Sequence, residues 1–374
     1  MRTIDADGHV IEPADLWERE LPPSMRDRGF KIRWDEGLKQ EQVHCEGRVL
    51  LPAGIVGVGL AGRPFEDIGS GVRYDELRPG GFDPRVRLQD LDAEGIDVAV
   101  LYPSVGLFLE AVDDAQLAAA CCRVYNDWLA DYCRADPRRL VGVAGLPLQD
   151  VDAAVAEARR AVGDLGMRGV FLRPNPCKGR ALHDPYFDPL WAAIAELGVP
   201  VGLHPSGAGD LPGAMQGLRL DAPIMGHPTI FFVDGFLGFS HLVCGGVLER
   251  HPTLQVAVLE CGGGWLAHWF DRFDHFATVY GWMAPNLTLR PSAYFRRQCW
   301  ISFDPDETTL PALAPVIGAD RIVWASDYPH LDATFPGVVR ELEEGLSGLA
   351  PADQAKIRGD NAARLYGLTN GGLG

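Results

Sequence analysis

Thr3-Ile4-Asp5-Ala6-Asp7-Gly8-His9 opens the chain with a short run that ends in polar side chains. Side chains alternate along an extended strand, so a strand beginning at residue 3 carries Asp7 and His9 to the same side. Seven more short apolar runs rich in β-branched residues follow, at 98–102, 140–146, 169–172, 200–204, 254–260, 300–303 and 321–327. Amphipathic stretches predict helices between most of them, at 113–135, 151–165, 185–197 and 305–317, with closing helices at 338–346 and 352–365. Strand–helix alternation implies βα units on a parallel sheet. Eight continuously apolar strands fit a closed (β/α)8 TIM barrel better than an open sheet. A doubly wound nucleotide fold is the weaker reading. Gly57, Gly59 and Gly62 do form a Gly-x-Gly-x-x-Gly pattern, but inside an insertion and not at a strand-to-helix turn.

Two long segments interrupt the rhythm, at about 13–84 after the first strand and about 205–228 after the fifth. Insertions of that length in a barrel commonly serve as lids or binding surfaces. The expectation is one metal-dependent barrel domain over 1–374 with a lid at about 13–84. Net charge is −17, from 34 Lys+Arg against 51 Asp+Glu, which disfavours nucleic acid and anionic membranes as partners. The amino terminus lacks the apolar run of a signal peptide, and no stretch reaches the length of a membrane span. The eight cysteines show no C-x-x-C spacing. These features predict a cytoplasmic protein with reduced thiols and a small-molecule substrate.

Catalytic groups of such barrels sit at the carboxyl ends of the strands. The first predicted strand ends at Asp7 and His9, the fifth at His204, the sixth at Glu260 and the eighth at Asp327. Three carboxylates and two imidazoles at one mouth would repel or strand one another without a cation, so a divalent metal is expected there. Glu12 follows His9 closely enough for a turn to bring it back. His241 lies in an apolar helical segment before the sixth strand and reads equally as a ligand or a core histidine. His227, in Gly226-His227-Pro228, reads as a loop residue.

With these residues in place, the chain resembles the amidohydrolase superfamily, in its amidohydrolase-related, decarboxylase-like branch. The first-strand His-x-His of that superfamily falls at Asp7 and His9, the fifth-strand histidine at His204 and the eighth-strand aspartate at Asp327. The end of the chain, at 361–367, resembles the branch's closing helix. Where many relatives carry a sixth-strand histidine, this chain reads Glu260-Cys261-Gly262-Gly263-Gly264-Trp265. That histidine is the expected acid/base of the decarboxylases.

Asp7, His9, Glu12, His204, His241, Glu260 and Asp327 together are more ligands than one zinc takes and suit two first-row metals with bridging carboxylates. The first-strand Asp-x-Asp-x-His-x-x-Glu and the Leu-Glu-x-Gly-x-Gly-Trp at the sixth resemble the nonheme diiron monooxygenases of platensimycin and platencin biosynthesis. That resemblance implies two iron ions, O2 as co-substrate, an external electron donor and hydroxylation of a bulky, diterpenoid-like thioester. Catalytic roles would fall to Glu260, Asp327 and His241. The insertion at 13–84 and the aromatic stretch at 265–282 would wall the acyl group. The alternative is a single zinc or manganese ion in a hydrolase or nonoxidative decarboxylase. A homodimer is a family-level expectation.

Overall fold

The computed structural model describes residues 2–50, 54–64, 71–206 and 223–368. Its core is a sheet of eight parallel strands. They are β1 (Ile4–His9), β5 (Val98–Tyr102), β6 (Leu140–Gly145), β7 (Gly169–Leu172), β8 (Val201–Leu203), β9 (Val256–Val258), β10 (Cys299–Phe303) and β11 (Ile322–Trp324), paired in that order. The intervening β2 (Lys31–Asp35), β3 (Gln40–Cys45) and β4 (Arg48–Val49) form a small antiparallel sheet inside the first insertion.

All residues of the eight core strands are buried. Helices cover one face and barrel side chains fill the other, which explains apolar runs without alternation. Past the ends of β1 and β11, backbone hydrogen bonds from Asp327 N to Asp7 O (3.2 Å) and from His9 N to Tyr328 O (2.7 Å) bring the last strand back to the first. Side chains reinforce that seam. Asp5, fully buried, accepts from Ser326 N (3.0 Å) and Ser326 Oγ (2.6 Å), and Arg87 Nη1 donates to His9 O (2.7 Å). Gly8 makes room for this: a Cβ there would lie 2.6 Å from Arg87 Nη2 and 2.7 Å from Asp5 Oδ2.

The barrel matches the sequence expectation, with insertions after the first and fifth of its strands. The second insertion lies mostly outside the described residues, as does the side chain of His227. A helix at Gly226–Cys244 begins before the expected end of that insertion. The predicted last helix breaks into Pro351–Ala355 and Asn361–Leu365 around a wider turn at Lys356–Asp360. Among the described residues, no helix is long and apolar enough to cross a membrane.

Candidate active site

At the carboxyl end of the barrel, β1 presents Asp7 and His9, the residue after β8 is His204, and Glu260 and Asp327 follow β9 and β11. Both late carboxylates sit on left-handed backbone, with φ of 47° at Glu260 and 53° at Asp327. That conformation is uncommon for a side-chain-bearing residue and clusters at functional sites, where the fold holds it in place. Glu260 N donates to Ser302 Oγ of β10 (3.1 Å), one of the contacts that hold this turn.

Two imidazoles anchor the cluster. His9 Nδ1 lies 2.7 Å from Pro103 O, and His204 Nδ1 lies 2.6 Å from Pro205 O. A carbonyl can only accept, so each Nδ1 carries the proton and each Nε2 turns its lone pair inward. Those Nε2 atoms are 3.2 Å apart. Two lone pairs do not bond to each other, and either a proton on one Nε2 or a metal ion between them resolves the contact.

The acids lie around that point. His9 Nε2 is 3.7 Å from Asp7 Oδ1 and 3.3 Å from Asp327 Oδ1. His204 Nε2 is 3.6 Å from Asp7 Oδ2 and 3.0 Å from Glu260 Oε2. Asp7 Oδ1 is buried and accepts no hydrogen bond.

The electrostatics say the same. Burial, then Glu260 and Asp5, outweigh His204 and push Asp7 well above the usual carboxylate range. Burial, then Glu260, Asp332 and Asp7, do so for Asp327. His9 is held low by burial and by His330 and His204. Burial also lowers His204, but Asp7 and Glu260 overcome it and carry that imidazole to about 9. The site therefore calls for positive charge, supplied by a proton or by a metal ion. Asp7, His9, His204 and Asp327 give a mixed imidazole–carboxylate set that suits one zinc or manganese.

Gly202 lets this ring of groups form. A Cβ on it would lie 2.3 Å from Tyr102 Oη, and Tyr102 stacks on His204 with ring centroids 5.6 Å apart. Tyr102 Oη in turn meets Tyr366 Oη at 2.9 Å, so the closing helix of the chain braces the His204 ring from behind.

Two expected ligands are not brought to the cluster. Glu12 is buried, and its carboxylate accepts from Val105 N (2.9 Å) and Gly106 N (2.7 Å), ordering the loop after β5. His241 sits on the Gly226–Cys244 helix with its ring 5.0 Å from that of His183, and it lines no part of the cavity described below. Its helix turns this side chain to a neighbouring loop, an orientation that an apolar run leaves unspecified.

Burial raises Glu12 to about 7 against the opposing backbone hydrogen bonds. The folded state thus keeps a proton that the unfolded state loses near 4.5. The stabilisation is present at low pH and is lost as pH rises through about 7. Denaturant melts should show on the order of 3 kcal/mol of this loss in the wild type. Glu12→Gln should flatten that pH dependence, and an unchanged slope would contradict the assignment.

A cavity of about 390 Å³ opens beside the cluster, lined in part by Glu260, Asp327, Asp304, Glu307, Asp332 and Phe231. It lies at the small end of the range for ligand sites, about 300–1,000 Å³. Neither the described residues of the 13–84 insertion nor those of the 265–282 stretch contribute to its walls. Along the Trp265–Val279 helix Trp265 meets Phe236 and Phe239 and Trp269 meets Phe239, while Phe276 is exposed to solvent. The described residues of these two segments therefore do not form the wall expected for a bulky acyl group at this cavity, and residues 51–53 and 65–70 of the first lie outside the described residues.

Sequence reasoning missed two residues. Asp304 directly follows β10, a strand end whose polar residue was passed over. Burial and then Glu307 and Glu260 push its carboxyl up to about 8. His330 lies in the Asp327-Tyr328-Pro329-His330 loop, and its Nδ1 is 2.8 Å from Asp327 Oδ1.

Comparison with known proteins places these observations. The gamma-resorcylate decarboxylase of Rhizobium sp. (strain MTP-10005) is 29% identical over 303 residues, covering 75% of this chain and 86% of that protein. The 2-amino-3-carboxymuconate-6-semialdehyde decarboxylase of Dictyostelium discoideum is 27% identical over 301 residues, covering 80% of each. An amidohydrolase of Mycobacterium avium subsp. paratuberculosis K-10 has the same fold at a TM-score of 0.81 with 26% identity, covering 98% of this chain and 99% of that one. The dihydroxybenzoic acid decarboxylase of Polaromonas sp. JS666, solved with bound manganese, shares the fold at 0.65 with 21% identity, covering 98% and 97%.

These findings overturn the expectation of an iron-dependent, O2-consuming monooxygenase. Most of the curated relatives are decarboxylases, with one hydratase among them, and the chain's likeness to them runs through most of its length. The pattern that suggested two irons is a local one, and two of its seven ligands are spent elsewhere in the fold. An amidohydrolase family model matches residues 4–368, and the chain belongs to that family.

Proposed function

We propose that this protein is a metal-dependent, nonoxidative decarboxylase of a small carboxylic acid. The observation that carries the reading is the pair of inward-facing Nε2 atoms of His9 and His204, 3.2 Å apart and ringed by Asp7 and Asp327. Decarboxylase relatives support the reaction class, and a neighbour solved with manganese supports a first-row ion over any particular one.

Asp7, His9, His204 and Asp327 would hold the ion. When bound, it would orient the substrate carboxylate and draw off the charge that develops as the C–C bond breaks. The chain supplies the rest. Glu260 takes the place of the missing sixth-strand histidine but keeps a different duty: its negative charge helps Asp304, across the same cavity, retain a proton near neutral pH. Asp304 then delivers that proton to the carbon that loses CO2, as a positioned general acid. Phe231 and Phe232 line the same cavity and offer apolar surface to the body of the substrate. The remaining acids tolerate one substrate carboxylate facing the ion and disfavour a second.

The test is CO2 release from a panel of small aromatic and unsaturated acids by protein stripped of metal and then reloaded with zinc or manganese. CO2 formation that returns with the ion and halts with chelator supports the reading. Reloaded protein that binds the ion but releases no CO2 from any member, while hydrolysing or hydrating substrates instead, would overturn it.

A further inference from the structure

The geometry points to His330 and Ser104 as a clamp that positions the metal-facing groups Asp327 and His9 without being ligands themselves. Ser104 Oγ donates its single proton to Val10 O at 2.7 Å. Its oxygen can then only accept from His330 Nε2, 2.9 Å away. This pins one edge of the His330 ring and turns Nδ1 onto Asp327 Oδ1 at 2.8 Å, with the pair's proton between them.

The same ring lies against His9, with centroids 4.0 Å apart and planes inclined by 32°. His9 is held on its far side by Pro103 O, the residue next to Ser104. One short stretch after β5 therefore anchors both sides of the cluster: Pro103 through the His9 ring, and Ser104 through His330 to Asp327. Outer groups of this sort fix the orientation of metal-ligating side chains and raise affinity.

The first insertion has a part in this. Leu331 N donates to Gly57 O at 3.0 Å, and Ala61 N donates to Pro329 O at 3.1 Å. Residues on both sides of His330 are thus tied to the 54–64 segment. Asp327 sits on left-handed backbone, and a turn of that kind persists only where its surroundings hold it. Among its described residues, the insertion contributes to the site through this clamp.

The inference rests on the metal reading but not on decarboxylation. Zinc affinity of metal-free protein, measured by competition with a chromogenic chelator, tests it in His330→Ala, His330→Asn and Ser104→Ala. Asparagine places an N–H close to the position of Nδ1. His330→Ala is expected to weaken zinc binding by about 10- to 100-fold, with Ser104→Ala and His330→Asn, which each break only one of the two contacts, falling between it and the wild type. Thermal melts of the metal-free proteins separate this from unfolding, since the clamp predicts a loss of affinity in variants that still melt cooperatively. Wild-type affinity in His330→Ala, or no recovery in His330→Asn, would overturn the clamp. Absent CO2 release with these affinity changes intact would instead overturn the decarboxylase reading alone.

Discussion

Replacing His204 with alanine is expected to reduce bound metal from about one ion per chain to a trace and to lower turnover by about a thousandfold or more. His204 is fully buried, its Nδ1 is committed to Pro205 O, and its Nε2 faces Asp7, Glu260 and His9 at once. It carries positive character among these acids when no ion is bound. Without it, Asp7 and Glu260 face each other across a dry site with one imidazole left, and His9 alone is a poor basis for a first-row ion. Elemental analysis after dialysis and a CO2 assay in parallel check this. Retention of a full complement of metal would place the ion elsewhere.

Asp304→Asn should have an effect of comparable size on turnover, about 10²- to 10⁴-fold, with metal retained. Asp304 lies outside the proposed ligand set, so its loss removes a proton and not a ligand. The sign of the pH dependence follows from its raised value. A general acid with a pKa of about 8 is protonated and active below that pH, so wild-type turnover falls as pH rises through it. The asparagine variant should be slow at every pH and lack that falling limb. A variant that kept both wild-type turnover and the limb would remove Asp304 from the reaction.

Much of the barrel is readable in the sequence because parallel strands buried on both faces demand unbroken apolar runs. Val98–Tyr102 and Gly169–Leu172 have the predicted bounds. Strand ends are less legible. Apolar residues continue past β9 and β11 into the turns that carry Glu260 and Asp327, so hydrophobicity alone extends those strands too far. The sheet of β2–β4 was not foreseen, because its residues are mostly half-buried and mixed in polarity.

The site divides along the same physical line. Asp7, His9, His204, Glu260 and Asp327 were legible because the barrel itself fixes where strand ends go. Glu12 and His241 were not, because a loop and a helix rotation decide what they face. Glu12 found two backbone N–H groups, and His241 found His183. Asp304 had a signal, its place immediately after the seventh barrel strand, that a rule applied to every strand end would have caught. His330 had none beyond its nearness to Asp327, since its partner Ser104 is 226 residues away in sequence. Counting ligands without knowing their orientation is what added Glu12 and His241 to the cluster.

The most direct test of the central claim follows CO2 and O2 together in a sealed reaction of the metal-loaded protein with a substrate from the acid panel. The account predicts one CO2 released for each product formed, no O2 consumed, and full loss of the reaction on chelation. O2 uptake matching product, or product formed without CO2, would contradict it.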